Sequence, residues 1–359
     1  MNRTRIIALA LAAALSCTLL AGCGPKPAEE TNPPTTEPTA SVEPTPSPEP
    51  TDAPEPTPGG DMVKVNLAML KGPTGVGAAK LLYDNELSSD ALVYNVTLAS
   101  DPANEIVPKL VNGELDIAAI STNLAASLYQ KTNGGIKVIA LNTLGVLYLL
   151  ENGNSIQSMD GLAGKTIYAT GQGANPEYVL NYLLEQNGLT PGEDVTIEWR
   201  AADEITALMA SGEAEVCMLP VPAATAVQMK NPDVRAALDL TEVWNSSVTN
   251  GSVLTMGCVV ARTGFLEEHP DLVSAFLEEY GESVNYVKEN PEEAAPMVAQ
   301  FEITANEQIA LRAIPDCNLV CVTGAEIQPA LQDYLSMLYT ADPTSIGGAI
   351  PDDAFYYVG

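Results

Sequence analysis

Four short stretches carry the residue types best suited to holding a small polar molecule: Gly72-Pro-Thr-Gly75, Ser121-Thr-Asn123, Gly171-Gln-Gly-Ala-Asn175 and Pro220-Val-Pro-Ala223. Each follows an apolar run that predicts a strand and opens a run that predicts a helix. Such junctions expose backbone N–H groups at the positive end of a helix, which favours an anionic or strongly polar ligand group. Thr74, Ser121, Thr122, Asn123, Gln172 and Asn175 add directional hydrogen bonds. Pro73, Gly75, Gly173, Ala174 and Pro222 shape the turns. Taken singly, each turn also describes an ordinary helix N-cap. Four of them, two in each half of the folded stretch, describe a cleft. Three further residues have two readings each. Arg200 follows a strand, and it can meet an anion in the cleft or lie on the surface. Tyr148 and Trp244 can stack on a planar ligand or pack in the core or hinge.

Other chemistries lack their residues. In Gly72-Pro-Thr-Gly-Val-Gly-Ala-Ala-Lys80, Lys80 stands where a dinucleotide fingerprint needs its third glycine. A phosphate loop needs Gly-Lys-Ser/Thr, and Gly77 is followed by Ala78. The one histidine, His269, sits in the polar stretch Leu266-Glu-Glu-His-Pro-Asp271, with no signalled Ser or Cys partner. Of the six cysteines, Cys217, Cys258, Cys317 and Cys321 lie in the folded stretch. Cys217 and Cys258 fall in apolar runs and read as small hydrophobes, while export would permit disulfides among the four. Zinc would need closer ligand spacing. No cofactor is implied.

The elements around these turns alternate. Strands are predicted over residues 63–70, 91–99, 116–120, 136–141 and 144–150, with helices over 76–86, 104–112 and 124–130. After a polar break at 151–157 the rhythm restarts. Strands are expected over 165–170, 195–199 and 216–219, and helices over 177–186, over 203–210 and after Pro220. A strand is expected over 252–260, and mainly helix from Phe265 onward. Asn112-Gly-Glu-Leu-Asp-Ile117 and Ser211-Gly-Glu-Ala-Glu-Val216 are near-copies in equivalent places. Alternation of this kind predicts an α/β protein of two similar lobes, each a mostly parallel sheet flanked by helices. Residues 61–359 also exceed the usual size of a single core.

The first 60 residues are of a different kind. Arg3 and Arg5 precede an apolar run over 6–20, which ends at Leu20-Ala21-Gly22-Cys23. This pattern resembles a bacterial lipoprotein signal: residues 1–22 are removed and the Cys23 thiol carries lipid. Residues 23–60 add a Pro/Thr/Glu-rich linker that holds too few large apolar residues for a core and favours extended polyproline. The net charge is −30, mostly on the folded part. So acidic a surface repels nucleic acid and anionic lipid, which leaves the lipid as the only membrane contact.

Three stretches carry a family resemblance. They are Val-Pro-Lys-Leu-Val-Asn-Gly-Glu-Leu-Asp-Ile-Ala-Ala-Ile over 107–120, Ser-Met-Asp-Gly-Leu-Ala-Gly-Lys-Thr-Ile-Tyr over 158–168, and the run containing Ala-Arg-Thr-Gly-Phe-Leu-Glu-Glu-His-Pro-Asp-Leu-Val over 259–276. They resemble the nitrate/taurine/aliphatic-sulfonate-type substrate-binding proteins of ABC importers. Those have the type II periplasmic-binding fold and are related to thiamine-pyrimidine-precursor synthase-like proteins. The resemblance implies lobe 1 from 62–151 and 252–359 and lobe 2 from 152–251, with chain crossings near 150–152 and Ser252. It further implies a monomer outside the cytoplasm that closes on a small molecule with a polar or anionic group and delivers it to a permease. The synthase's cysteine-rich catalytic stretch and histidines are absent, which argues against an enzyme. An enzyme on the same fold, or an adaptor presenting ligand to a sensor, are the alternatives.

Overall fold

The computed structural model describes residues 64–88, 94–249 and 251–359. The signal, Cys23 and the linker lie outside the described residues. In chain order the strands are β1 (Val65–Leu70), β2 (Tyr94–Ala99), β3 (Ile117–Ser121), β4 (Ile136–Leu144), β5 (Leu147–Asn152), β6 (Thr166–Ala169), β7 (Thr196–Trp199), β8 (Val216–Pro220), β9 (Val234–Asp239), β10 (Thr255–Arg262) and β11 (Leu319–Thr323). The helices are α1 (Pro73–Val76), α2 (Ala79–Leu87), α3 (Val107–Val111), α4 (Thr122–Lys131), α5 (Asn175–Gln186), α6 (Ala202–Ser211), α7 (Ala223–Lys230), α8 (Leu240–Ser247), α9 (Thr263–Glu268), α10 (Pro270–Glu289), α11 (Pro291–Gln300), α12 (Glu307–Ala313) and α13 (Ile327–Ala341). No helix among the described residues is long and apolar enough to cross a membrane.

The strands form two sheets, ordered β11-β4-β10-β3-β1-β2 and β7-β6-β8-β5-β9. Each sheet with its helices is one lobe. β1, β2 and β3 pair in parallel, as do β6, β7 and β8. Inside each sheet one strand runs against the neighbours on both of its sides: β10 against β3 and β4, and β5 against β8 and β9. These two strands follow the passages between lobes, so each lobe holds one strand from the far side of a crossing. The orders β2-β1-β3-β10-β4 and β7-β6-β8-β5-β9 then correspond strand for strand.

The near-repeat in sequence has a structural counterpart. Gly113 and Gly212 both adopt positive φ, +78° and +76°, where a side chain would be strained. Each ends a helix in the same way. Glu114 and Leu115 donate their N–H groups to the Lys109 carbonyl, and Glu213 and Ala214 donate theirs to that of Leu208. This wrap satisfies the last helical carbonyls and aims the chain into a buried strand, β3 or β8.

One expectation needs correction. The first crossing was expected at 150–152, but β5 belongs to the second sheet, so the chain changes lobes at Gly145-Val146. Gly145 explains the place: a Cβ there would lie 2.2 Å from Thr241 Oγ1, so only glycine lets the chain pass this close to the start of α8. From Phe265 onward the chain is mainly helix, with one strand in it. β11 forms the edge of the first sheet against β4, and β9 and α8 complete the second lobe. Ser252 lies between α8 and β10, the stretch that returns the chain to the first lobe. The seam between lobes holds an aromatic contact. Trp244 of α8, fully buried, packs on Tyr182 of α5 at 5.4 Å and on Tyr334 of α13 at 5.5 Å between centroids.

Candidate functional site

The four turns sit at the carboxyl ends of β1, β3, β6 and β8, the edge where open α/β sheets receive ligands. α1 is a single short turn begun by Pro73, with Thr74 and Gly75 buried. Gly75 is dictated by space, since a Cβ would sit 2.1 Å from the Leu70 carbonyl oxygen. Thr122 opens α4 fully buried, and its hydroxyl donates to the Thr255 carbonyl at 2.7 Å. Ala174 is the N-cap of α5, and Asn175, its first residue, is fully buried. Asn175 Nδ2 donates to Thr122 Oγ1 at 2.8 Å and to the Met256 carbonyl at 2.7 Å. A side chain of the second lobe is thereby bonded to a helix start and a strand of the first.

Beside this contact lies a group of buried polar atoms without partners among the described residues: Thr74 Oγ1, both amide atoms of Asn142, Thr143 Oγ1, Thr255 Oγ1 and Asn175 Oδ1. Three of these residues, Thr74, Asn142 and Thr143, close around Gly257. A Cβ on that glycine would lie 2.5 Å from Asn142 Oδ1, 2.5 Å from Thr74 Cγ2 and 3.2 Å from Thr143 Cβ. The Tyr280 phenol on α10 points toward Asn142 without completing a hydrogen bond. Burial pushes its pKa far up, so it stays neutral. A buried polar group lacking a partner costs roughly 1–3 kcal/mol. Native cores hold few such groups, and each calls for an explanation. Several around one glycine, next to the contact between lobes, describe a lining able to hydrogen-bond a small molecule.

The other expected residues are placed differently. Ser121 Oγ donates to Asn123 Oδ1 at 2.9 Å, and Asn123 Nδ2 reaches the Ser345 carbonyl at 3.4 Å, so this pair is turned into its own lobe. Gly173 is exposed, and its N–H donates to Glu177 Oε2 at 2.6 Å. Pro222 follows a cis peptide, is buried and caps α7, a helix that packs on α12. Tyr148 is half-buried at the lobe seam; burial, then the nearby Asp239 and Asp316 carboxylates, raise its pKa. Trp244 is core, its indole N–H bonded to the Ser252 carbonyl at 2.9 Å.

Arg200 is not part of the lining. It lies at the end of edge strand β7, exposed, with its guanidinium 2.8 Å from Glu198 and 3.2 Å from Glu204. Exposed pairs contribute at most about 1 kcal/mol. An Arg200→Ala chain should therefore keep its ligand affinity within about twofold by calorimetric titration, and a tenfold loss would return Arg200 to the site. Asn142, Thr143, Thr255 and Tyr280 escaped the sequence reading. The available signal was the polar pair Asn142-Thr143 inside the apolar run of β4.

Metal and thiol chemistry are not signalled. No group of three His, Cys, Asp or Glu among the described residues can hold a metal ion. Cys217, Cys258, Cys317 and Cys321 are all free thiols. Burial pushes Cys217 and Cys317 up to about 12, which keeps them protonated and inert. His269 joins α9 to α10 and packs on Phe265, ring centroids 5.2 Å apart.

Comparison with known proteins agrees with this architecture. No curated protein sequence matches. An ABC transporter protein from Parabacteroides distasonis is 23% identical, with 82% of this chain and 99% of that one covered and a TM-score of 0.69. The periplasmic aliphatic sulphonate binding protein of Escherichia coli is 15% identical, covering 79% and 90%, TM-score 0.63. A Candida albicans protein described as having the generic periplasmic binding protein fold is 13% identical, covering 82% and 93%, TM-score 0.55. Residues 95–294 match the NMT1/THI5-like family, and with more than half its length matched, the chain belongs to that family and has the two-lobed periplasmic-binding-protein fold.

Proposed function

We propose that the chain is an extracytoplasmic solute-binding protein that captures a small molecule between its lobes and delivers it to an ABC import permease. One observation carries this reading: Asn175 of the second lobe meets Thr122 and Met256 of the first beside buried, unpartnered Thr74, Asn142 and Thr143. A ligand bonded to both lobes would supply the missing partners and favour lobe closure through differential affinity for the closed arrangement. The P. distasonis and E. coli proteins of like fold are an ABC transporter protein and a sulphonate-binding protein, which supports an importer role. The chain acts without catalysing a reaction, as a monomer, with 62–151 and 252–359 expected as one lobe and 152–251 as the other, the crossing corrected as above. Cys23, acylated after removal of residues 1–22, tethers it to the cell membrane through the 23–60 linker.

Native mass spectrometry of the freshly purified chain tests this. A small molecule should be retained and should leave chemically unchanged on denaturation. Conversion of the retained compound over long incubation would instead make the protein an enzyme. Acylation is read independently: labelled palmitate should enter the wild-type chain and not a Cys23→Ala chain.

A further inference from the structure

We infer, on the reading of the cleft as a ligand site, that the captured molecule is uncharged and carries hydrogen-bond donors as well as acceptors, as amides, ureides and polyols do. Asn175 supplies the first argument. Its Nδ2 is fixed by donation to the Met256 carbonyl, which can only accept, so Oδ1 is held as an unpartnered acceptor. A donor on the ligand can satisfy it, and an acceptor cannot. Asn142 repeats the demand in either amide orientation: both of its amide atoms are unpartnered, so it presents one donor and one acceptor. The hydroxyls of Thr74, Thr143 and Thr255 serve either role, and Tyr280 is held neutral by burial. A sulfonate or carboxylate offers acceptors only and would set its charge against these amide oxygens.

The charges point the same way. Every arginine of the described residues is placed away from this lining: Arg200 pairs with Glu198 and Glu204, Arg235 with Glu151, Arg262 with Asp116, and Arg312 lines a groove with α7 and β9. The start of α5, where an anion would sit, already has a carboxylate in place, since Glu177 accepts from the Gly173 N–H at 2.6 Å. The buried carboxylates among the described residues, Asp116 and Glu151, are held by Arg262 and Arg235, so a cationic ligand finds no buried counter-charge beside these amides any more than an anionic one does.

The test uses the full chain and yeast extract separated into three fractions: the flow-through of anion and cation exchangers in series, and the salt eluate of each. Thermal unfolding reads binding, because a ligand selective for the folded state raises the melting temperature. The uncharged fraction should raise it, and the two eluates should not. Asn142→Leu and Thr143→Val should each need at least tenfold more of that fraction for the same rise. Both should melt at or above the wild type when nothing is added, because they remove a buried polar atom that lacks a partner. A rise from an eluate and not from the uncharged fraction overturns the assignment of ligand class while leaving a binding protein. An equal rise in wild type and both variants removes these residues from the site and overturns it too. No rise from any fraction overturns the ligand-site reading on which the inference rests.

Discussion

A Gly75→Ala chain should lose about 3 kcal/mol of stability, the upper part of the usual range for forcing extra volume into a packed site, together with its ligand affinity. The added Cβ would lie 2.1 Å from the Leu70 carbonyl oxygen and 3.6 Å from Ile303 Cδ1. The first is a main-chain atom of β1 and cannot rotate aside, so α1 must move. Thr74, its neighbour in that turn, packs within reach of Gly257 and Asn142. Displacing α1 therefore disturbs the lining as well as the fold. Thermal denaturation should show a fall of roughly 5–10 °C for a chain of this size, and titration should show loss of binding. A variant that melts and binds like the wild type would mean that α1 has room this structure does not show.

The second large effect concerns Glu151, a fully buried carboxylate on β5. It accepts from the Ser155 N–H at 2.7 Å and hydroxyl at 2.5 Å, from the Ile156 N–H at 3.2 Å and from Arg235 at 2.6 Å. Burial raises its pKa, but the bonds from Ser155, Ile156 and Arg235 outweigh burial, and the net shift is downward. A carboxyl whose folded pKa is depressed contributes stability that is present above its unfolded pKa, about 4.3, and is lost as pH falls through the folded value. Glu151→Gln should cost about 3 kcal/mol near neutral pH, because it leaves Arg235 uncompensated and turns an amide N–H₂ toward donors. As pH falls below about 4.3 the advantage of the wild type should shrink toward the variant, and it is gone only below the depressed folded value, since protonation makes the same change. Urea unfolding from pH 7 down to 3 reads both. Parallel curves with a constant offset would exclude Glu151 as the titrating group.

Why some of this was legible and some was not follows from particular residues. β3 and β8 bury nearly every side chain, so they appear as unbroken apolar runs, and the glycines at 113 and 212 mark the helix ends before them. β9 and β11 are edge strands with only Val234 and Leu319 buried in each; Arg235 and Asp239 break the pattern of β9, while Leu-Val-Cys-Val in β11 is a short apolar run that helix and strand share. The crossing at Gly145 depends on a close approach to Thr241, nearly a hundred residues away in the chain, and no local pattern reports such a contact. Asn175 and Thr122 were visible as turn residues, yet their bond to each other requires the two lobes to be folded together. Arg200 followed a strand as expected, but β7 is an edge strand and offered it two surface carboxylates. Asn142 and Thr143 lie past the end of the apolar run at Leu141, where β4 continues to Leu144 and into the site.

One measurement bears most directly on the central claim, that a small molecule is held by both lobes at once. It is a crystal structure of the chain with the compound recovered from it by native mass spectrometry. Density for that compound is expected in contact with Asn142 or Thr143 of the first lobe and with Asn175 of the second. Density confined to one lobe, as in the surface groove lined by Lys80, Tyr94 and Tyr286, would contradict it.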